Sequence, residues 1–252
     1  MRDDGGGDAS GGGPVATTAS PVIGRVTFPE GLRREDIARI IGDKTDVSPK
    51  EYLDLTAAGP EGQRLSGAPG PRSLEGFLFP ATYDLTKGMT ARQLVDAQLK
   101  AYSDNVAGID YSYARSKKLT RYDVLIIASL IEREVQVPAE RQLVAGVIYN
   151  RLRSGMRLDI DATVQYAVGS WKSELTQSDL EDDSPYNTRR FKGLPPGPIC
   201  NPGLDSINAA GHPKGDYLFY VARNDGTGRH YFARTDAEFQ VFIARSRANA
   251  GG

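Results

Sequence analysis

The sequence feature that most constrains the fold is an apolar segment, RYDVLIIASLIEREV, at residues 121–135. Thr120 precedes this segment and Asp123 stands three residues later, an approximate capping box that predicts the start of a helix at Arg121. On a helical wheel of about 100° per residue, the apolar side chains cover one broad face. Because such a face is stable only when it is covered, we expect this helix to lie in the core.

Two glutamates stand at the end of this apolar helix. The wheel places Glu134 inside the apolar face, whereas Glu132 lies at the edge and points almost the opposite way. Burial penalises the charged form of a carboxyl group and raises its pKa, which a general acid working near neutral pH requires. The alternative is a structural ion pair, in which Glu134 ties helices together through an arginine such as Arg141 or Arg151.

The other segments predict an α+β fold in which helices come first and a β-hairpin follows them. Helices are predicted at 34–42 with Gly42 as its stop, at 48–59 capped by Ser48, at 90–106 capped by Thr90, and at 138–155 with Gly155 as its stop. Strands are predicted at 23–32 and, as the hairpin, at 216–223 and 229–235. Loop-like or extended paths are predicted at 59–72, 159–169 and 182–203.

Changes in composition divide the chain into four parts. Residues 1–21 are rich in Gly, Ser, Ala and Thr and predict a disordered linker. A small module of strand and helices is expected at 22–72, and a larger domain with a helical core and the hairpin at 73–245. We expect a disordered tail at 246–252.

Composition argues against several classes of function. A formal net charge of -1 gives no electrostatic reason to expect a nucleic acid as partner. With Cys200 as the single cysteine and only two histidines, His212 and His230, a zinc site of the usual type is not expected. Motifs for phosphate or dinucleotide binding and for serine hydrolysis are absent, so we expect neither a cofactor nor a metal. No run of residues is apolar enough to predict a membrane span.

Several gapped segments resemble one bacterial family. They are ASLIEREVQVPAERQLVAGVIYNRL at 128–152, GMRLDIDATVQYAVG at 155–169, SPYNTRRFKGLPPGPICNPG at 184–203, AAGHP at 209–213, and LEGFLFPATY at 74–83. In this order they are similar to the endolytic murein transglycosylase family (MltG, YceG-like), over about residues 26–239. The resemblance implies that residues 73–245 are a YceG-like catalytic domain and that 22–72 are part of a LysM-like module.

The resemblance also implies a reaction. The family's catalytic acid is the second glutamate of its ASx(I/V)ExE helix, which here is Glu134. It would protonate the glycosidic oxygen between N-acetylmuramic acid and N-acetylglucosamine, and then take the proton of the muramic C6 hydroxyl as that group attacks the anomeric carbon. The product would be a 1,6-anhydromuramic end, formed without water by a single carboxyl group, whereas ordinary glycosidases use two.

Further residues match family positions and are expected to bind the glycan: Tyr186, Asn187, Thr188, Asp161, Thr163, Gln165, Glu75 and Asn201. For Asn187 and its neighbours, the alternative is a turn held by the Asn side chain. For Asp161, Thr163 and Gln165, which alternate as on one face of an extended segment, the alternative is a solvated strand face. Ala162 and Ala81 stand where the family often has proline and aspartate.

The partners and location also follow from the resemblance. It implies peptidoglycan glycan strands as substrate, cell-wall synthases as partners, and a site at the extracytoplasmic face of the bacterial plasma membrane. The family's membrane anchor would precede this chain. Two other functions stay open: a hydrolytic muramidase, in which Glu132 or Asp161 would activate water, and a glycan-binding or scaffold module without catalysis.

Overall fold

Helices and two separate antiparallel strand pairs make up the computed structural model, which describes residues 21–171 and 174–251. The predicted linker at 1–21 lies outside the described residues, except for Pro21. The strands are β1 Val22–Thr27, β2 Thr82–Thr86, β3 Phe219–Ala222 and β4 His230–Ala233. The helices are α1 Arg34–Lys44, α2 Pro49–Thr56, α3 Pro60–Ser66, α4 Ala91–Val106, α5 Ser112–Ser116, α6 Arg121–Glu134, α7 Arg141–Arg153, α8 Asp161–Ala167, α9 Gln177–Leu180, α10 Leu204–Gly211 and α11 Asp236–Ala250, with a 3-10 turn at Pro138–Glu140.

The first hydrophobic core lies in the N-terminal half of the chain and packs its first elements, β1, α1 and α2, against its last, β2 and α4. β1 pairs with β2 along Val22–Thr27 and Thr82–Thr86, and α1, α2 and the start of α4 cover this ribbon. Its buried side chains include Phe28, Ile41 and Tyr52, together with Leu78 and Leu94. The core that begins in the predicted module at 22–72 thus continues past residue 72 into strand β2 and the start of α4.

The second core is built around α6. Tyr122 and every residue from Val124 to Ile131 are buried, and α7, α8 and α10 pack against this helix. Thr120 accepts a hydrogen bond from the backbone N–H of Asp123, and the Asp123 carboxylate accepts one from the backbone N–H of Thr120 in return. The predicted capping box and the burial of the helix are both confirmed.

A strand pair and the last helix close the described chain. β3 and β4 pair antiparallel, and the connecting residues Asn224 and Gly226 have φ angles of 53° and 77°, as a tight turn requires. Helix α11 then packs against the pair through Phe239, whose ring stacks on Phe219 at 5.0 Å. The prediction of a disordered tail from 246 is wrong, because α11 continues to Ala250.

Among the other local predictions, two helix caps are confirmed, whereas the stop at Gly42 and the loop at 59–72 are wrong. The caps Ser48 and Thr90 accept the expected hydrogen bonds from backbone N–H groups. Gly42 does not stop α1, which runs to Lys44; a Cβ at Gly42 would lie 3.0 Å from the Pro49 ring, so this glycine instead permits close packing of α2. The loop predicted at 59–72 contains α3, which begins at a proline.

The burial of α6 generates a test of stability. Ile127→Ala is expected to lower the free energy of unfolding by about 2–5 kcal/mol, because it removes buried methyl groups and leaves a cavity. Ile127 is fully buried, whereas Val241 on α11 is 52% exposed. Val241→Ala, the matched control, should change it by less than about 0.5 kcal/mol. Urea denaturation followed by circular dichroism measures both, and equal losses would contradict the central position of α6.

Candidate active site

Glu134 is the last residue of α6 and lies where two cavities meet. The larger cavity, of about 560 Å³, reaches from Glu134 toward Asp161 and Arg189. The smaller cavity, of about 360 Å³, runs the other way toward Asn224. Glu134, Ala222 and His230 line both cavities, so they form one groove with Glu134 at its middle. The side chain is half-buried in the groove floor, so it is less enclosed than its place on the apolar face of the helical wheel predicted.

Tyr220 of β3 holds one oxygen of this carboxyl group. The Tyr220 hydroxyl donates a hydrogen bond of 2.9 Å to Glu134 Oε2. Desolvation is the main cause that raises the pKa of Glu134 above its ordinary value, and the negative charge of Asp161 acts in the same direction. The Tyr220 hydrogen bond and the positive charges of His230 and Arg189 act against this rise. The net direction is upward, which favours a protonated acid.

The structure does not contain the ion pair of Glu134 with Arg141 or Arg151 that was considered as an alternative. Arg141 lies 3.7 Å from Asp205. Arg151 donates to the backbone carbonyls of Leu218 and Leu158, both at 2.6 Å. Within 21–171 and 174–251, no basic side chain lies at ion-pair distance from Glu134, so no neighbouring cation holds it in the charged form.

His230, at the start of β4, supports the groove wall beside Glu134. It is buried, its Nδ1 lies 2.8 Å from Glu140 Oε2, and its backbone N–H also points at the Glu140 carboxylate. The His230 ring meets the Tyr220 ring edge to face at 5.4 Å. Glu140 and His230 therefore fix the wall against which Tyr220 packs.

Asp161 is the one predicted binding residue that faces the same groove. It stands at the first position of α8, is exposed, and pairs with Arg189. Glu132 accepts a hydrogen bond of 3.1 Å from the backbone N–H of Gly203 and lines neither cavity. Of the two acids considered as a partner for water activation, only Asp161 lies beside Glu134.

Comparison with known proteins identifies the family. A sequence profile of the YceG-like family matches residues 14–245. The chain belongs to the YceG-like family.

Relatives and a solved structure agree with this membership. A relative from Bacillus subtilis (strain 168), named endolytic murein transglycosylase, is 37% identical over 80% of this chain. A protein of the same name from Streptococcus pneumoniae (strain R6) is 35% identical over 89% of the chain. The chain spans 60% and 45% of their respective lengths. The crystal structure of a yceG-like protein from Listeria monocytogenes matches with a TM-score of 0.75 at 37% identity, covering 89% of this chain and 76% of that chain.

In this YceG-like chain, the YNT segment at 186–188 makes contacts within the fold and does not line the groove. Asn187 is fully buried and donates to the backbone carbonyls of Leu180 and Asp182, as in the alternative of a self-tied turn. Thr188 lies 2.9 Å, oxygen to oxygen, from Thr163. These side chains line neither cavity.

Residues 159–169 contain a helix, so the prediction of an extended segment is wrong. Ala162, Thr163 and Val164 are buried together on α8, which the alternation of polar residues did not predict. Gln165 is half-buried and lines neither cavity. Tyr186 is also half-buried, and its ring packs 4.8 Å from Tyr166. Among these, Asp161 alone reaches the groove.

Glu75 and Asn201 form a buried clamp outside the groove. Asn201 Nδ2 donates to Glu75 Oε1 at 2.8 Å, and its Oδ1 accepts from the backbone N–H groups of Gly76 and Leu78. Its Nδ2 also donates to the carbonyl of Leu32, so one side chain joins the first core to the segment that precedes α10. The structure thus places these two predicted binding residues in a tie between the two cores.

Sequence reasoning gave little weight to His230 and did not select Tyr220, Arg189 or Glu140. Tyr220 and His230 lie in the predicted hairpin strands, whose aromatic residues are equally typical of an ordinary hairpin. Glu140 and Arg189 lie in the family-like segments 128–152 and 184–203, where nothing in the residue pattern singles them out. Among the described residues, no cluster of His, Cys, Asp or Glu side chains is suited to hold a metal ion. None of the helices within 21–171 and 174–251 has both the length and the apolar character needed to cross a membrane.

Glu75 generates a prediction about pH. Burial raises its pKa from 4.5 to about 8, so the folded state binds this proton more tightly than the unfolded state does. The free energy of unfolding should therefore be highest below about pH 4.5 and fall by a few kcal/mol, roughly, as pH rises to about 8. Glu75→Gln keeps an oxygen that can accept from Asn201 and should flatten this decline, whereas Glu51→Gln, on the exposed side of α2, should retain it. Urea denaturation at several pH values measures the slope, and an unchanged slope in Glu75→Gln would contradict the prediction.

Proposed function

We propose that this chain is an endolytic peptidoglycan lytic transglycosylase, a lyase, with Glu134 as its single general acid and base. The observation that carries the proposal is an acid without an ion pair, half-buried at the middle of a groove that is open on both sides of it. An enzyme that cuts within a strand needs room for sugars on both sides of the bond. The names of the relatives support the same substrate and reaction.

The first half of the reaction is proton donation. Glu134 starts protonated, because desolvation in the groove floor raises its pKa. Tyr220 occupies Oε2, and Oε1 has no hydrogen-bond partner among the described residues. Glu134 gives its proton to the oxygen between N-acetylmuramic acid and N-acetylglucosamine, and the bond from that oxygen to the muramic C1 breaks.

The second half is intramolecular attack. The muramic C6 hydroxyl oxygen forms a bond to C1, and its proton passes to the carboxylate of Glu134, which restores the starting acid. No water is consumed, and the product is a 1,6-anhydromuramic end. The Tyr220 hydroxyl stabilises the carboxylate in the interval between the two proton transfers, because a hydrogen bond to a charged oxygen is stronger than one to a neutral oxygen.

One observation favours a second candidate, a hydrolytic muramidase. Asp161 lines the same cavity as Glu134, and a second carboxylate is what water activation needs. Its pairing with Arg189 occupies one of its oxygens, which is then not available to a water molecule. A glycan-binding or scaffold module without catalysis would not need an acid that opens to the groove.

The cellular setting follows from the proposed substrate. Peptidoglycan strands lie outside the cytoplasmic membrane, so we place the activity at the extracytoplasmic face of the plasma membrane. The part-LysM character of the N-terminal module, an anchor upstream and an association with cell-wall synthases remain predictions from family resemblance.

Replacement of the acid tests the proposal. Glu134→Gln removes the transferable proton and should lower the rate of strand cleavage at least about a hundredfold. Mass spectrometry of uncrosslinked glycan strands after incubation should show ends one water lighter than reducing muramic acid, with wild type only. Glu132→Gln is the matched control, two residues away on α6, and should still cut.

The products separate the candidates. Ordinary reducing ends would contradict the transglycosylase reaction and support the muramidase, with Asp161 as the second acid. Cleavage by Glu134→Gln at the wild-type rate would contradict both, and intact strands with wild type would favour the binding module.

Tyr220 generates a prediction about the pH dependence of cleavage. Activity requires protonated Glu134, so it should be lost as pH rises through the raised pKa of this group. Tyr220→Phe removes a hydrogen bond that lowers this pKa, and should move the falling limb of kcat/KM to higher pH. Tyr217→Phe, a neighbouring tyrosine outside the groove, should leave the limb in place. A limb that stays fixed in Tyr220→Phe would contradict the role of this hydroxyl.

A further inference from the structure

The wall of the larger cavity is built from two chain segments that cross beside Glu134. Residues 157–161 lead into α8, whose first residue is Asp161, and residues 188–192 continue from Thr188, the end of the YNT turn. An antiparallel bridge joins Arg157 to Lys192, and the backbone N–H of Asp159 donates to the carbonyl of Thr188 at 3.2 Å. The bridge brings the charged residues of both segments to one side of the groove.

Positive charge exceeds negative charge on this wall. Asp159 is shared by two guanidinium groups, since one of its oxygens lies 3.4 Å from Arg151 and the other 3.4 Å from Arg157. Arg189 pairs with Asp161. Three guanidinium groups therefore face two carboxylates in the cavity. Lys192 does not line the cavity, but it is exposed and its backbone is bridged to Arg157 at the edge of the wall. The excess of positive charge leaves the wall able to take a further anion.

The arrangement is held by the fold. Arg151 is buried and anchored by backbone carbonyls. Asp159 has a φ angle of 55°, a left-handed conformation that is unfavourable for most non-glycine residues and that aspartate tolerates better than most. By contrast, the side chains of Arg157 and Arg189 are 53% and 38% exposed, so their remaining N–H groups are open to a ligand.

We infer that this wall, defined by Arg157, Arg189 and Lys192, binds the carboxylates of the peptide branch of the glycan, so that stem-bearing strands are the preferred substrate. The inference rests on the proposed function, and adds to it which part of the substrate lies in which cavity. Each N-acetylmuramic acid carries a peptide through its lactyl ether, and the peptide bears free carboxylates. The planar guanidinium fork matches a carboxylate with two parallel hydrogen bonds.

The smaller cavity has a different character. Gln136, Asn224, Gly226 and Gly228 line it, and these offer amide and backbone groups suited to neutral sugar hydroxyls. Apart from His230, which lines both cavities, its basic residue is Arg229, which is exposed and has no role in the wall. Arg229 is therefore a matched control for Arg157.

The test measures binding apart from cleavage. Glu134→Gln protein is titrated into dye-labelled, uncrosslinked strands of three kinds, and fluorescence anisotropy gives Kd. The strands bear intact stems, stems with carboxylates converted to amides, or no stems but a free lactyl carboxylate. Intact stems should bind about tenfold more tightly than amidated stems, an effect that salt should weaken. Adding Arg157→Gln should abolish the preference, adding Lys192→Gln should reduce it, and adding Arg229→Gln should leave it unchanged.

Each outcome decides the inference. Equal Kd values for intact and amidated stems would overturn it, and so would a preference that survives Arg157→Gln in a protein with an unchanged Tm. Stem-free strands that bind as tightly as intact ones would also overturn it, because the wall would then recognise the lactyl group. Cleavage by the wild-type chain is scored separately, so a preference without cleavage would refute the proposed reaction and leave the stem site standing.

Discussion

Burial of α6 is the constraint on which the rest of the structure depends. The helix packs against α7, α8 and α10, and its apolar run ends at the floor of the groove. The same burial that stabilises the fold removes water from the Glu134 carboxyl group. The surroundings of Glu134 therefore follow from its position at the end of the buried helix. The hairpin adds a hydrogen-bond donor, the Tyr220 hydroxyl, and one wall of the groove.

Glu75 and Glu134 show how surroundings decide the role of one residue type. Glu75 is enclosed and meets an amide from Asn201 and the backbone N–H of Arg34, at 2.8 and 3.4 Å. It ties segments together and lines neither cavity of the groove. Glu134 has one donor on one oxygen and open space at the other. Burial raises the pKa of both, so a raised pKa alone does not identify a catalytic acid; access to the groove does.

Local signals in the sequence predicted local structure well. The caps at Ser48, Thr90 and Thr120 and the face of α6 that holds Glu134 all follow from patterns within a few residues. The groove could not be predicted in this way, because Tyr220 is 86 residues from Glu134 in the chain. The YNT turn and Asn201 match family positions, but they also stabilise the fold. The side chains of Asn187 and Asn201 form hydrogen bonds with backbone groups. A polar residue in a shared motif is thus as consistent with a loop tie as with a sugar contact.

The central claim is that the groove keeps Glu134 protonated before the substrate arrives, and its most direct test is a titration of this one group. Carbon-13 NMR of the Glu134 side-chain carboxyl carbon, assigned by its loss in Glu134→Gln, gives the pKa in the free protein. The account predicts a midpoint clearly above the ordinary value of 4.5, because desolvation outweighs the hydrogen bond from Tyr220. A midpoint at or below 4.5 would show that Glu134 is charged at neutral pH, and would contradict its role as the proton donor.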